Sequence, residues 1–583
     1  MDMPLRTFAS VLSKASGYSL TTIAVLLVSC DISNDVSDKA TIEVPMRDGI
    51  ELATDLYFPE AENPPYPAIL IRTPYNKAML EQYGRYYARA GFVVAIQDVR
   101  GRWASQGEWQ PFVHEGDDGY DAVEWLAQQE WSDGKIGMSG ASYSGTAQLL
   151  AATRKPPHLT TIVPVVAPAM PFENIPRDGG ALMLGWALRW ADIAENAKSG
   201  AEMQAKVTAG IMDDWSYRLS GLPVITLDEQ VTGAAIPYFR DWAKNLPESP
   251  YWRTMRYLEA LRSVDIPVFL QSGWFDPGVH GAISAFNELT AGNNPHVRLL
   301  IGPWVHGDRG SRYLNGTDMG AQAERDLMAE YRRWFEFWLQ TDGDNAPTEP
   351  GVELFVMGAN RWITGTQYPV QDTKEWKLFL HRKDGRGILS ADTPPTKDEC
   401  DEFVYDPGHA TPSFHAALKR GTLDAYMSRI DSAGDVLVYE SNRLENSLSI
   451  AGPIDIQLFA STSAVDTDWV ATLYALDKHD RVRVLGLTFG IQRARYRLSM
   501  TEPVFSIPGE VTSYQLPLGH TAAVLQSGEK LRIEIASAAF PEYSRNLNTG
   551  GHNELDTEWV TARQCVYRSE EHASHLVLKI LEQ

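Results

Sequence analysis

The sequence predicts an α/β fold: a mostly parallel sheet covered by helices on both faces, carrying a helical insertion and followed by an antiparallel β-sandwich. Three observations predict it. From about residue 50 to 170, short apolar runs alternate with stretches of helical spacing, the rhythm of strands buried on both faces. From about Pro171 to Leu258 that rhythm stops and only helical patterns remain. Beyond about Glu375 the helices stop, and short segments of alternating polarity indicate a sandwich of jelly-roll type.

Composition bounds the answer. At 583 residues the chain exceeds a single core, so roughly two to four domains are expected. An apolar content of 44% with seventeen Trp describes a well-buried globular chain. The net charge of −23 argues against nucleic acid or an anionic membrane surface as partner. Cys30, Cys400 and Cys565 have no metal-type spacing; they exclude a disulfide framework and leave one Cys400–Cys565 bridge open. No cofactor or metal is expected.

The first thirty residues read as an export signal. Arg6 and Lys14 supply the positive region, and Leu20 to Val28 an apolar run too short to span a membrane. The run ends Leu27-Val28-Ser29-Cys30, which resembles the bacterial lipoprotein box, with Cys30 as lipidated residue and 31–40 as tether. A plain secretory signal or an uncleaved anchor is the alternative. The expected location is outside the cytoplasm, on a membrane facing the periplasm or cell exterior.

In chain order, Thr41–Pro45 and Ile50–Tyr57 alternate around Arg47-Asp48-Gly49 as a hairpin. Ala68–Arg72 is a buried strand, Leu80–Ala90 a helix stopped by Gly91, Phe92–Ile96 the next strand and Asp117–Gln129 the next helix. Strands at Lys135–Ser139 and Thr161–Val166 flank a helix rich in Ala and Leu. The insertion reads as helices over Ala181–Ala197, Glu202–Leu219 and Ala234–Lys244; its Trp186, Trp190, Phe239, Trp242, Tyr251 and Trp252 read as core or pocket lining. Strands resume at Ile266–Gln271 and Val297–Ile301, and a helix with apolar Leu327, Tyr331, Trp334, Phe335 and Trp338 closes the layer.

The chemistry centres on Gly140-Ala141-Ser142-Tyr143-Ser144-Gly145, between a strand and a helix. This is the context of a nucleophile elbow, with the second glycine one residue later than in G-x-S-x-G. A serine needs a base, and the base a carboxylate, each just past a later strand in the order Ser, Asp, His. Asp276 in Gly273-Trp274-Phe275-Asp276 and His306 in Gly302-Pro303-Trp304-Val305-His306 occupy those positions. His114, His158 and His280 lack that context, and Asp98, beside Arg100 and Arg102, reads as a structural ion pair. The oxyanion hole is expected from the backbone N–H of Tyr143 and the phenol of Tyr75, in the loop after an early strand.

Arg72-Thr73-Pro74-Tyr75, Gln97-Asp98-Val99-Arg100-Gly101, the elbow and the two loops carrying Asp276 and His306 resemble the cocaine esterase and glutaryl-acylase (CocE/NonD) hydrolases, relatives of the X-prolyl dipeptidyl peptidases of family S15. Ser461–Asp468, Arg493–Arg497 and Arg545–Gly551 match as well. The resemblance implies an α/β-hydrolase domain in two parts (41–170 and 259–372), a helical cap (171–258) and a jelly-roll domain (373–583). It implies a serine hydrolase acting on a small-molecule ester or amide through an acyl-enzyme. The alternatives are X-Pro dipeptidyl-peptidase or α-amino-acid ester hydrolase activity, or a tethered binding protein with a relic core. Asp276 is followed by Pro277-Gly278-Val279 where amino-ester hydrolases carry carboxylates, so an apolar acyl group is expected; Glu173 and Asp178 are the cap acids that could still meet an ammonium, though solvated surface carboxylates are the commoner role. A homodimer is compatible with the sequence, and the membrane is met only through the lipid anchor.

Overall fold

A computed structural model describes residues 39–60, 64–212, 215–314, 317–341, 343, 349–370, 373–397, 399–483 and 489–581. The signal and Cys30 lie outside the described residues, as does most of the tether. The chain folds as an α/β-hydrolase core with an inserted helical cap and a C-terminal jelly-roll β-domain.

The core sheet has strands β1 (Lys39–Pro45), β2 (Glu51–Tyr57), β3 (Tyr66–Thr73), β4 (Val93–Asp98), β5 (Ser132–Ala141), β6 (Leu159–Val165), β7 (Val268–Phe275), β8 (Val297–Val305), β9 (Gly351–Val356) and β10 (Arg361–Gly365). Their order is β1-β2-β4-β3-β5-β6-β7-β8-β9-β10. The run from β4 to β9 is parallel, with antiparallel β1, β2 and β10 at the edges. Alternate residues of one strand enter different cores. Ile69 and Ile71 pack with Tyr87, Phe335 and Leu339 from helices Glu81–Ala88 and Leu327–Gln340. Ala68 and Leu70 pack with Val123, Leu149 and Phe286 from helices Glu115–Ala127, Tyr143–Ala152 and Val279–Ala291. Burial on both sides is why these strands read as unbroken apolar runs.

The cap differs in detail from the expected three helices. It contains Leu184–Asn196, Gly200–Met212, Trp215–Arg218, Leu227–Thr232 and Pro237–Lys244, with a short hairpin, Arg177–Asp178 with Ala181–Leu182, at its entrance. The last helix starts at Pro237 and not Ala234, because proline at the first helical position costs no hydrogen bond. Two further expectations are corrected. The core sheet continues past the last expected strand into the hairpin β9–β10. Helices also recur beyond Glu375: Phe414–Arg420 and Leu423–Ala433 each end at a left-handed glycine, Gly421 and Gly434. They bury Phe414, Tyr426 and Ile430 against the sandwich.

The C-terminal domain is a twelve-stranded, almost wholly antiparallel sheet among the described residues. Its neighbouring strands Cys400–Tyr405 and Ala562–Tyr567 are joined by the Cys400–Cys565 disulfide, Cα atoms 5.6 Å apart. The C-terminal motifs build a buried ion network under the cap. Arg493 pairs with Asp468 at 2.9 Å and faces Glu554, and Arg495 pairs with Asp466 at 2.7 Å. Asn546 donates to both aspartates. From the cap, Arg177 reaches Glu554 at 3.3 Å and donates to the carbonyls of Trp242 and Ala243 at the end of helix Pro237–Lys244. Burial opposes the Glu554 charge, yet Arg177 and Arg493 hold its carboxyl down at about 2. Arg177→Met should therefore leave Glu554 with Arg493 as its remaining arginine and lower stability by about 1–3 kcal/mol, read in denaturant unfolding; a loss under about 1 kcal/mol would mean the network does not hold the cap.

Candidate active site

The candidate site lies along the carboxyl ends of the parallel strands, where open α/β sheets present their ligands. β5 ends at Ala141, and Ser142 follows with φ 60° and ψ −119°, a conformation that L-residues rarely adopt. Its N–H donates to Val165 O at 2.8 Å, and its carbonyl accepts from Gly145 and Thr146 N–H. A Cβ on Gly140 would lie 2.5 Å from Ser144 Cβ, and one on Gly145 would lie 2.9 Å from Val165 O. The elbow therefore requires both glycines and accepts Ser144 in the slot between them.

β7 ends at Phe275 and Asp276 follows, fully buried; β8 ends at Val305 and His306 follows. His306 Nδ1 donates to Asp276 Oδ2 at 2.8 Å, and Gly278 N–H donates to Asp276 Oδ1 at 2.5 Å. That hydrogen bond leaves the far imidazole nitrogen as the basic one. The His306 side chain is 45% exposed, so the site opens to solvent. Between elbow and acid loop, Val166 carries φ 43°, an outlier for a β-branched residue, and its N–H donates to Gln271 O at 2.7 Å.

Tyr75 follows β3. Its hydroxyl accepts a 2.8 Å hydrogen bond from the indole of Trp190, on cap helix Leu184–Asn196, and no acceptor for its own proton is shown among the described residues. Burial pushes this phenol up to about 12, keeping it a donor. The preceding carbonyl, Pro74 O, accepts from Arg102 at 3.1 Å and from the indole of Trp103 at 2.9 Å. Arg102 continues to Ala194 O and Glu195 at the end of the same cap helix. Half-buried Trp109, Trp186 and Trp190 form a continuous aromatic wall with Tyr238 and Trp242. Phe239, Trp242 and Trp252 are core, whereas Trp186, Trp190 and Tyr251 are partly exposed.

Several residues sit elsewhere. Asp98 bonds not Arg100 or Arg102 but Lys77, whose N–H is 2.7 Å away; Arg100 turns to Asp48 and Asp118. His158 pairs with Glu124 on the surface, and His114 only precedes a helix. His280 packs against His520, with ring centroids 5.4 Å apart, and loss of water pushes it down to about 4. Asp178 accepts from Tyr543 at 2.9 Å, and burial pushes it up to about 7; Glu173 accepts from Ser284. No cluster of metal-ligating side chains occurs among the described residues.

Comparison with known proteins places this geometry. Residues 48–308 match the X-Pro dipeptidyl-peptidase (S15) family, and residues 345–577 match the X-Pro dipeptidyl-peptidase C-terminal non-catalytic domain. A cocaine esterase from Rhodococcus sp. (strain MB1 Bresler) is 31% identical over 94% of this chain and its own entire length. The chain belongs to the CocE/NonD hydrolase family.

An aminopeptidase from a marine sediment Thaumarchaeota archaeon has the same fold, with a TM-score of 0.77 at 22% identity over 95% of this chain and 99% of its own. An α-amino acid ester hydrolase also shares the fold, with a TM-score of 0.76 at 24% identity over 95% and 98%. Membership of the family makes the protein a hydrolase of the serine esterase/peptidase type.

Trp190, Arg102 and Val166 escaped the sequence reading. Trp190 was visible only as one aromatic of the cap, and Arg102 only as a charge beside Asp98. Gly273 has a sharper consequence: a Cβ there would lie 2.3 Å from Trp304 O on the neighbouring strand. Gly273→Ala should push apart the strands carrying Asp276 and His306 and lower kcat about 10²-fold. Steady-state kinetics with a folded, soluble variant would check it, and an unchanged kcat would show that the strands can absorb the methyl group.

Proposed function

We propose that this family member is an exported serine hydrolase that cleaves esters, and secondarily amides, carrying an apolar acyl group. The observation that carries the reading is the 2.8 Å bond between His306 and Asp276 on adjacent strand ends, three and two strands from a strained Ser142. Ser142 Oγ attacks the carbonyl carbon while His306 takes its proton. Asp276 stays ionised and steadies the imidazolium. The tetrahedral oxyanion receives hydrogen bonds from the Tyr143 N–H at the helix start and from the Tyr75 phenol. His306 then returns the proton to the leaving group, and water hydrolyses the acyl-enzyme with the same base.

The Trp109, Trp186 and Trp190 wall supports an aromatic or bulky aliphatic acyl group. Peptidase or amino-ester activity would need a carboxylate for the ammonium. Asp178 is already bonded to Tyr543, and Pro277-Gly278-Val279 follows Asp276. An acyl group without an α-ammonium is therefore favoured.

Export is supported by the Leu27-Val28-Ser29-Cys30 box and by the Cys400–Cys565 disulfide, a bond typical of oxidising compartments. In this reading Cys30 is lipidated and tethers the enzyme to a membrane. Cys30→Ser should release active enzyme from the membrane fraction, and unchanged fractionation would refute the anchor.

The decisive experiment offers three substrates: an aryl benzoate, an α-amino ester and an X-Pro anilide. Only the benzoate should be cleaved, and cleavage of an amine-bearing substrate would overturn the acyl assignment. Ser142→Ala should lose roughly a millionfold in turnover. Tyr75→Phe should lose about 10²–10³, and a loss below about tenfold would remove Tyr75 from the oxyanion hole.

A further inference from the structure

The Tyr143 N–H is one of the first helical donors, so no intrahelical bond fixes its direction. The ties on this residue run instead through its side chain. The Tyr143 hydroxyl donates to Glu115 Oε1 at 2.7 Å and accepts from Phe112 N–H at 3.1 Å and the Trp109 indole at 3.3 Å. Its ring stacks on Phe112, centroids 4.2 Å apart, and Phe112 takes φ 68° in the loop that presents it.

Glu115 Oε2 accepts from Arg72 Nη1 at 2.6 Å, and the same nitrogen donates to Glu115 O at 3.0 Å. Arg72 Nε donates to Gln97 at 2.8 Å. Tyr143, Glu115, Arg72 and Gln97 are each no more than 2% exposed. Arg72 is the penultimate residue of β3, and Tyr75 is three residues further on. One buried chain therefore runs from the strand that presents one oxyanion donor to the residue that presents the other.

We infer that Glu115 is a positioning residue for the oxyanion hole: it fixes the Tyr143 side chain, and through it the direction of the Tyr143 N–H, and ties that donor through Arg72 to the strand carrying Tyr75. Turning the Ser142–Tyr143 peptide away from the oxyanion would pull the phenol off Glu115, Phe112 and Trp109. Burial, and then the Glu115 charge, hold the Tyr143 phenol far above its ordinary pKa, so it stays a donor to Glu115. The inference rests on the serine-hydrolase mechanism proposed above.

Tyr143→Phe removes one oxygen and leaves the backbone donor in place. In the full chain, kcat for an aryl ester should fall roughly 10- to 100-fold with KM within about twofold, since a misdirected donor is felt only in the transition state. The inhibition constant of an arylboronic acid, whose tetrahedral adduct mimics that state, should rise by the same factor, and that of benzoate should not move. A fluorophosphonate should still label every chain, only more slowly. Glu115→Gln, which keeps an acceptor for the phenol, should retain more kcat than Glu115→Ala.

An unchanged kcat in Tyr143→Phe, a loss matched by fewer labelled chains, or equal Gln and Ala variants would each overturn the inference. Should the native chain itself resist labelling, the proposed mechanism fails first. Full labelling of the native chain with full activity in Tyr143→Phe would sink this inference alone.

Discussion

Ser142 can hold φ 60° only because its neighbours leave the backbone nowhere to relax. Strain of this kind costs on the order of 1–3 kcal/mol per residue, so it persists where surrounding packing over-determines it. Here β5 lies between β3 and β6 in mid-sheet, and the elbow helix presses Ser144 onto Gly140 and Gly145 onto Val165. The constraint spreads sideways. Ser142 N–H holds Val165 O; strained Val166 holds Gln271 O on β7; the Val166 carbonyl crowds Gly278, whose N–H holds Asp276. Ser142 and the Asp276 loop are thus set against each other through main-chain contacts, which are stiffer than side-chain contacts. The parallel sheet supplies the rigid frame on which this depends.

The same frame explains which parts of the molecule were legible in its sequence. Ser142, Asp276, His306 and Tyr75 each sit just past an apolar strand, and strand ends are read locally from burial pattern and turn residues. The partners that orient them are not local. Trp190 meets Tyr75 across 115 residues, Glu115 meets Tyr143 across 28, and Arg177 meets Glu554 across 377. No periodicity encodes such pairs, and Asp98 shows the hazard: its near neighbours Arg100 and Arg102 turn elsewhere while Lys77 takes their place. Helices Phe414–Arg420 and Leu423–Ala433 failed to register for a different reason. Each is short, and their apolar faces are too narrow to stand out beside the strong alternation of the sandwich strands. The glycines that end them, Gly421 and Gly434, were the available signal.

The buried ion network bears on why this enzyme carries a sandwich domain. Removing charges from water is costly, and an apolar interface of equal area would hold the cap as well or better. An apolar interface can slide, whereas Arg177, held inside the cap by Gly180 O and the helix-end carbonyls of Trp242 and Ala243, meets the sandwich at one carboxylate, Glu554. Trp242 carries the aromatic wall, and Trp190 on the neighbouring cap helix carries the bond to Tyr75. A cap displaced by an ångström would therefore withdraw an indole from the phenol that the mechanism needs as a donor. In the mechanism proposed above, the sandwich would act on catalysis by fixing the cap, through the network built by Asp466, Asp468, Arg493, Arg495 and Asn546.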